Sequence, residues 1–272
     1  MSEHLDGRFS IIGAGVMGEA ITSAVLEHGL YEPAQVCLCD VSEERLRYLR
    51  ERFGVHITSD PARALEGCRT VLLAVKPQDF PAVADATSGM VLPEQLVISI
   101  IAGVDLRTLR EELGHRAVVR VMPNTPAQVG HGLSVWTATS EVTPERREQA
   151  RRILAAFGRE VFVPDERHID IATAVSGSGP AFVFLFIEAF IDAAVHIGLK
   201  RQEAQDMVLQ TVLGSVHLAR ATGRHPAELR NMVTSPGGTT TEGLLVLERA
   251  GLRAAMMEAV LAAFEKTQAL GS

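Results

Sequence analysis

The sequence predicts an α/β first domain built on a parallel sheet and an all-helical second domain. In the first half, short continuous apolar segments alternate with helical patterns, which is typical of a parallel sheet covered by helices on both faces. From about Asp165 onward there is no convincing strand pattern, and several long helical patterns follow. We therefore expect one domain over residues 1–164 and a helical domain over residues 165–272, with the boundary near Pro164.

Most elements of the first domain carry their own start or stop signals. RFSIIGAG is a short buried strand, and the helix VMGEAITSAVLEHG after it is closed by Gly29. The strand QVCLCD precedes a helix capped by Ser42, and in DPARALEG we expect Asp60 to cap a helix that begins at Pro61. TVLLAV, the fourth strand, and QLVISIIAG are continuous apolar strands, and DLRTLREELG is a capped helix. RAVVRVMP, LSVWTAT and GREVFVP complete the strands, with a helix opening at Thr143–Pro144.

Three long segments of the second half have helical patterns: GPAFVFLFIEAFIDAAVHIG, RQEAQDMVLQTVLGSVHLARATG and TTTEGLLVLERAGLRAAMMEAVLAAFEKTQAL. The most apolar of them contains Glu188, Asp192 and His196, so we predict a buried helix and not a membrane span.

Composition narrows the classes of partner and compartment. The net charge of -7 and the pI of about 5.7 argue against nucleic acid or an anionic membrane as a partner, because phosphates are repelled overall. Cys37, Cys39 and Cys68 are predicted to be small buried residues, and so sparse and odd a cysteine count fits a reducing cytosol. The start, MSEHLDGRF, lacks an apolar core, so we expect no signal peptide and a cytoplasmic protein.

The segment IGAGVMG contains the spacing G-x-G-x-x-G at Gly13, Gly15 and Gly18, after the first strand and at the start of the first helix. In that position Gly13 permits a tight turn, Gly15 lets the backbone approach a pyrophosphate, and Gly18 lets the helix pack on the strand. The pyrophosphate then lies on free backbone N–H groups. We therefore predict a Rossmann-like dinucleotide-binding domain.

Asp40 ends the second strand, where a carboxylate accepts hydrogen bonds from an adenosine ribose and repels a 2′-phosphate. The alternative is that Asp40 binds no ribose and is simply an acidic residue at the start of the next helix. Arg45 and Arg47, one turn further, are able to offset the repulsion for a phosphorylated cofactor.

A dinucleotide domain followed by helices points to hydride transfer without naming the substrate. Alcohol oxidation by β-hydroxyacid dehydrogenases needs a lysine on an early helix of the second domain, and none of Lys76, Lys200 and Lys266 is placed there. A metal-dependent ketol-acid route needs clustered acids. Glu188 and Asp192 are four residues apart on one helix face, but they fit a polar stripe better, and we expect no metal.

The segment SPGGTTTEG, Ser235–Gly243, interrupts the helical half with small polar residues. Its turn and the helix that follows offer the N–H groups of Gly238, Thr239 and Thr240 to a carboxylate, with Ser235 and Thr240 hydroxyls as further donors. A capped turn between helices would use the same residues, so both interpretations stay open on pattern alone.

Together these segments resemble the pyrroline-5-carboxylate reductases along essentially the whole chain. The resemblance rests on six segments in order: IGAG from Ile12, AVKP from Ala74, IAGV from Ile101, VMPNTPA from Val121, VSGSGPAF from Val175, and the run from His225 to Val260. It implies reduction of the cyclic imine 1-pyrroline-5-carboxylate to L-proline with NADPH or NADH. It also implies a homodimer with interleaved helical domains, often assembled into a decamer.

The resemblance also assigns residues to roles. The cofactor-binding set is Ile12, Gly13, Ala14, Gly15, Val16, Met17, Gly18, Asp40, Ala74, Val75, Lys76, Pro77, Ile100, Ala102 and Asn124. The substrate-binding set is Glu166, near the ring nitrogen, with Ser235, Gly238, Thr239 and Thr240 at the carboxylate. Thr240 is the candidate catalytic hydroxyl near the imine nitrogen.

Two residues depart from the family pattern. Asp40 stands where many members have a Ser or Thr that binds the 2′-phosphate, so we expect NADH to be used at least comparably to NADPH. Met232 replaces an Asn of some members. A nucleotide-sensing protein without turnover and a reductase of a six-membered imine are the alternatives left open.

Overall fold

The computed structural model describes residues 4–270. The first three and the last two residues lie outside the described residues. The first three belong to the segment MSEHLDGRF, for which the sequence predicts no signal peptide. The chain divides into two compact units, one formed by residues up to Ser178 with the C-terminal residues from Ala263, the other by Gly179–Ala262. The last strand ends at Phe162. The boundary at Pro164 stays a prediction, since it lies between that strand and this division.

The described residues of the first unit form one eight-stranded sheet in the order β3-β2-β1-β4-β5-β6-β7-β8. The strands β1 to β8 are Arg8–Ile12, Val36–Cys39, His56–Thr58, Cys68–Leu73, Leu96–Ser99, Val118–Met122, Gly132–Ala138 and Gly158–Phe162. Strands β1 to β6 run parallel to one another. The short β3 has no fully buried residue, so no apolar run marks it in the sequence.

The sheet is not wholly parallel, as the sequence pattern suggested. β7 runs antiparallel to β6, and β8 runs parallel to β7. Only a short loop with one 3₁₀ turn, Thr125–Val129, joins β6 to β7. A parallel neighbour needs a crossover of about a dozen residues or more, so the chain turns back instead.

Six helices α1 to α6 cover the sheet: Val16–Glu27, Glu43–Phe53, Pro61–Leu65, Phe80–Thr87, Leu106–Leu113 and Pro144–Ala155. The predicted caps are confirmed. Ser42, Asp60 and Thr143 each accept a backbone N–H of the first turn that follows. Asp105 does the same for α5, and Gly29 has the positive φ of 62° that ends α1. These local signals set where each helix enters the sheet.

Two apolar cores lie on the two faces of the sheet. One includes Ile21 of α1, Leu49 of α2 and Ile153 of α6. The other includes Phe80 of α4 and Leu109 of α5. Adjacent strand residues contribute to opposite cores, as a parallel sheet buried on both faces requires.

The three cysteines are free and buried, as predicted. Burial raises the pKa of each thiol, that of Cys39 to about 12. The thiols are therefore protonated at neutral pH and act as packing groups and not as nucleophiles.

Helices follow from Glu166 to the end of the described chain. α7 is Arg167–Ala172, and a π-helical turn, Thr173–Gly177, joins it to α8. Helices α8 to α12 are Gly179–His196, Arg201–Thr222, Pro226–Met232, Thr239–Arg249 and Leu252–Leu270. The predicted C-terminal helix is thus two helices, because Gly251 adopts a φ of 74° and ends α11.

The prediction that α8 is buried is wrong for the single chain. Only Ala194 of this helix is buried, whereas Phe184 and Leu185 are 61% and 65% exposed. By length and composition alone, the continuous helical segment Arg167–His196 is long and apolar enough to cross a membrane. The mean hydropathy of its most apolar stretch is 1.7, and 6% of that stretch is buried. The apolar side chains that α8 leaves exposed need another surface to cover them.

The turn from β1 into α1 packs directly against the end of β4. Gly13 has a φ of 102°, and a Cβ there would lie 2.5 Å from the Ala74 carbonyl carbon. The Gly15 Cβ position, in contrast, has nothing within 4 Å. The two glycines therefore have different reasons to lack a side chain.

Gly13→Ala is expected to lower the free energy of unfolding by at least about 2 kcal/mol, from positive-φ strain and the backbone clash together. Gly15→Ala is the control and is expected to change it by less than about 0.5 kcal/mol. Urea denaturation of both variants measures the difference. Equal stabilities would show that the backbone at Gly13 relaxes away from Ala74 at little cost.

Candidate dinucleotide and carboxylate sites

The carboxyl ends of the central strands bring most of the predicted cofactor residues together. Gly13 N donates to Cys39 O at 2.8 Å, Ala74 N to Ile12 O at 2.7 Å, and Ile100 N to Leu73 O at 3.0 Å. Residues after β1, β2, β4 and β5 thus meet at one edge of the sheet, which holds Val75, Lys76, Pro77 and Ala102 as well. The order of the strands in the sheet reverses its direction between β1 and β4. Open α/β sheets bind ligands at such a reversal.

The Gly13–Gly18 loop has the form of a pyrophosphate cradle. Gly15 is the N-cap of α1, and no side chain caps the helix. The first amides of a helix lack internal acceptors and face outward with the positive end of the helix dipole. The open space at Gly15 leaves these N–H groups accessible, so the residues fit a dinucleotide. Val16 is 60% exposed at the helix start, and Met17 is half-buried.

Asp40 holds the backbone of this loop. Its Oδ2 accepts the Ala14 N–H at 2.8 Å, and its Oδ1 accepts the Ser42 N–H at 2.9 Å. A carboxylate has about four acceptor sites, so it is still able to accept from a ribose hydroxyl. Asp40 is therefore more than the acidic residue of a helix start.

Arg45 contacts the same loop from the other side. Its Nε donates to Ala14 O at 2.9 Å and its Nη2 to Gly15 O at 3.4 Å. The guanidinium also forms an ion pair with Glu19 of α1. The sequence predicts that Arg45 is able to offset the repulsion of a phosphorylated cofactor, and it does not predict the pair with Glu19. Nothing in the spacing of the two residues, 26 apart, signals this pair.

Asn124 acts through its neighbours. Its Nδ2 donates to Ser176 O at 3.1 Å, and its Oδ1 accepts the Leu133 N–H at 2.8 Å. The amide thus ties the loop after β6 to the π-helical turn Thr173–Gly177. Such turns are frequent at functional sites. Both side-chain groups of Asn124 are engaged, so it positions the backbone of this turn.

Glu166 lies in a charged cluster that the sequence analysis missed. Arg120 of β6 is buried and pairs with Glu166 and with Asp170 of α7, each at 2.8 Å. Glu166 also accepts the Leu106 N–H at 2.8 Å. An arginine within the apolar strand RAVVRVMP is the signal that points to a buried carboxylate partner. Glu166 further lines an open cavity of about 620 Å³ beside α5.

In the second unit, SPGGTTTEG forms a closed turn before α11. Gly238 N donates to Ser235 O at 3.0 Å, and the Thr241 hydroxyl donates to the same oxygen at 2.7 Å. The Gly238 N–H, which we expected to face a ligand, therefore closes the turn. The amides of Thr239 and Thr240 begin the helix and have no acceptor within it. A Cβ on Gly238 would lie 2.5 Å from Ser235 Oγ.

Glu188 and Asp192 are both exposed, and Asp192 pairs with Arg201 at 2.9 Å. Within residues 4–270 no group of three His, Cys, Asp or Glu side chains is arranged to hold a metal ion. The polar-stripe interpretation accounts for the pair.

Two family models match the chain. One, described as pyrroline-5-carboxylate reductase dimerisation, matches residues 166–270, and one described as NADP oxidoreductase, coenzyme F420-dependent, matches residues 8–103. The pyrroline-5-carboxylate reductase of Synechocystis is 42% identical and covers 97% of this chain and 98% of its own length. That of Escherichia coli K12 is 38% identical, with 98% and 99% covered.

The chain belongs to the pyrroline-5-carboxylate reductase family. A crystal structure of the Plasmodium falciparum pyrroline carboxylate reductase with NADP bound agrees with this assignment. It superposes with a TM-score of 0.91 at 31% identity, covering 99% of this chain and 100% of the other. The resemblance read from the sequence and the predicted two-part fold are both confirmed. The family model that matches the helical part describes dimerisation, so the chain oligomerises through that part.

Glu166→Gln tests whether this residue supports the fold or the substrate. The Arg120 cluster predicts a loss of roughly 1–3 kcal/mol in the free energy of unfolding, because a hydrogen bond to a charged group is weakened. Urea denaturation measures the loss, and the Michaelis constant for the imine is measured in parallel.

Asp165→Asn is the matched control for that substitution. The side-chain hydrogen bonds of Arg167 lower the pKa of the Asp165 carboxyl to about 2. Arg167 is exposed and its charge is screened by water, whereas Arg120 is buried, so a smaller loss of stability is expected at Asp165. Unchanged stability of Glu166→Gln with a raised Michaelis constant would instead support the substrate role that the resemblance implies.

Proposed function

We propose that this chain reduces 1-pyrroline-5-carboxylate to L-proline with NAD(P)H, the last step of proline biosynthesis. The observation that carries the proposal is the similarity to pyrroline-5-carboxylate reductases over nearly the full length of both chains. Two helix starts without side-chain caps support it, one at Gly15 that we assign to a pyrophosphate and one at Gly238 that we assign to a carboxylate. A nucleotide sensor without turnover has no need of the second loop.

The cofactor is assigned to the first unit. The loop Gly13–Gly18 binds the pyrophosphate, Asp40 accepts from the adenosine ribose, and the residues after β4 and β5 line the cleft. When bound, the reduced nicotinamide supplies a hydride to the imine carbon. Ile100, Ala102 and Asn124 then shape the nicotinamide side of the site.

The substrate carboxylate is assigned to the second unit. The free amides of Thr239 and Thr240 receive it with the dipole of α11, and Ser235 adds a hydroxyl. Gly238 keeps the turn closed by its contact with Ser235. Thr240 is half-buried and provides the hydroxyl that we assign to the imine nitrogen.

This chemistry needs little acid–base machinery. A protonated imine is already electrophilic, and its nitrogen carries the proton before reduction. The chain then mainly positions two reactants, and a hydroxyl with a relayed water suffices for the proton. A site made of glycines, hydroxyls and amides is consistent with that task.

Assembly and location follow the family. The exposed apolar face of α8 fits a homodimer in which the helical domains interleave, and such dimers can assemble into a decamer. An obligate interface of this kind covers apolar side chains as a core does. We expect the enzyme to act in the cytoplasm on a soluble small-molecule substrate.

The direct test of the activity is oxidation of NADH and of NADPH, each with 1-pyrroline-5-carboxylate, followed at the nicotinamide absorbance. Turnover with proline as product supports the proposal. Cofactor binding without turnover would favour a sensor instead.

Thr240→Ala is expected to lower the specificity constant for the imine by about tenfold to a hundredfold, since the lost hydroxyl bonds a charged group. Thr240→Val should lower the specificity constant about as much, because it also removes the hydroxyl donor. Thr240→Ser keeps that donor and should retain most of the activity. Cofactor dissociation constants should change by no more than about twofold. Loss of thermal stability with unchanged imine reduction would show that Thr240 only begins a helix.

A further inference from the structure

The guanidinium of Arg45 is fixed by three polar contacts, all with the glycine loop or with α1. It donates to the carbonyl oxygens of Ala14 and Gly15 and pairs with Glu19, which is itself mostly buried with a side chain 19% exposed. Glu19 pairs through its other oxygen with Arg52. Arg52 has separate contacts of its own, with the Tyr48 hydroxyl at 3.2 Å and the Phe53 ring. Arg45 is thus the member of this cluster that reaches the glycine loop.

The same loop is held on its other side by a carboxylate. The Ala14 N–H donates to Asp40, and the Ala14 carbonyl accepts from Arg45, so both backbone polar groups of Ala14 are engaged. Asp40 and Arg45 both belong to the segment from the end of β2 into α2. In dinucleotide-binding folds this segment faces the 2′ position of the adenosine ribose, where an acid favours a hydroxyl and a nearby arginine accommodates a phosphate.

A 2′-phosphate at this position would need a cation able to turn toward it. Arg45 is one candidate on α2, and its guanidinium is already engaged by Glu19 and by the carbonyl oxygens of Ala14 and Gly15. Arg47 is exposed and donates to the Glu43 carbonyl of its own helix at 3.4 Å. Asp40 adds a negative charge beside the ribose position. This carboxylate is the group that repels a phosphorylated cofactor, while Arg45 is held by other partners.

We infer that Glu19 is a specificity-determining positioning residue: by pairing with Arg45 it keeps that guanidinium on the loop carbonyls and away from a 2′-phosphate, so that NADPH binds no more tightly than NADH. This inference rests on the proposed binding of the cofactor at the Gly13–Gly18 loop. Glu19 acts through Arg45 and touches neither the cofactor nor the imine. The pair holds the Arg45 guanidinium on the loop and keeps it from turning toward a 2′-phosphate.

Equilibrium titration of the full-length protein with NADH and with NADPH, in the absence of imine, tests the inference. Wild type should bind NADH at least as tightly as NADPH. Glu19→Gln should shift the ratio of the two dissociation constants toward NADPH by about tenfold or more, as one new charge-assisted hydrogen bond predicts. Adding Arg45→Ala to Glu19→Gln should abolish that shift.

Glu44→Gln is the matched control, since it removes the same charge from an exposed residue beside Arg45 in the sequence. Its ratio should stay within about twofold of wild type. Circular dichroism and NADH binding show that each variant keeps its fold and its loop.

Two results would overturn the inference. One is an unshifted ratio in folded Glu19→Gln. The other, which holds even if Glu19→Gln does not fold, is a selective loss of NADPH affinity in Arg45→Ala alone, because Arg45 would then already bind the phosphate in wild type. If neither cofactor binds to wild type, the cofactor assignment itself fails. That result is distinct from normal cofactor binding with no imine reduction, which would reject only the proposed substrate.

Discussion

The close approach of the β1–α1 turn to the end of β4 is the constraint on which the first unit depends. At Gly13 there is no room for a side chain, because the Ala74 backbone occupies that space. The contact is fixed by main-chain hydrogen bonds from Gly13 to Cys39 and from Ala74 to Ile12. With the turn pinned on both sides, α1 begins at the edge of the sheet and directs its free amides outward. Gly15 then faces open space, from which a ligand can approach the backbone.

Charged side chains fix the loops and helices that surround the sheet. Asp40 binds the N–H and Arg45 the carbonyl oxygen of one residue, Ala14, and Glu19 fixes the arginine. Further along the sheet, Arg120 ties the start of α7 to β6 through two carboxylates. Its Nε is buried without a hydrogen-bond partner among the described residues. Removing one partner of a buried cluster leaves a charge uncompensated, so such residues are expected to tolerate substitution poorly.

Local signals made much of the fold predictable from sequence. Ser42, Asp60 and Thr143 cap helices because their side chains reach nearby amides, and such short-range chemistry is legible in a few residues. The glycine spacing could be interpreted because a strand precedes it and a helix follows it. The six-segment resemblance then identified the family, which pattern alone did not.

Long-range pairing is what the sequence did not reveal. The reversal of β7 depends on the length of one loop, and the Arg45–Glu19 and Arg120–Glu166 pairs join residues far apart in the chain. The exposure of α8 was missed for a different reason, since an apolar helix looks the same whether its own chain or a second copy covers it. The closed turn at Gly238 also depends on backbone geometry that residue types do not fix.

We propose that the Gly13–Gly18 loop is preformed to receive a dinucleotide backbone. It is tested most directly by the dissociation constant of NADH for Gly15→Val, measured by fluorescence titration beside wild type. A branched side chain at this position occupies the open space without a clash inside the protein. The account predicts that NADH binding is lost while the circular dichroism spectrum and thermal stability are retained. An unchanged dissociation constant in the folded variant would contradict it.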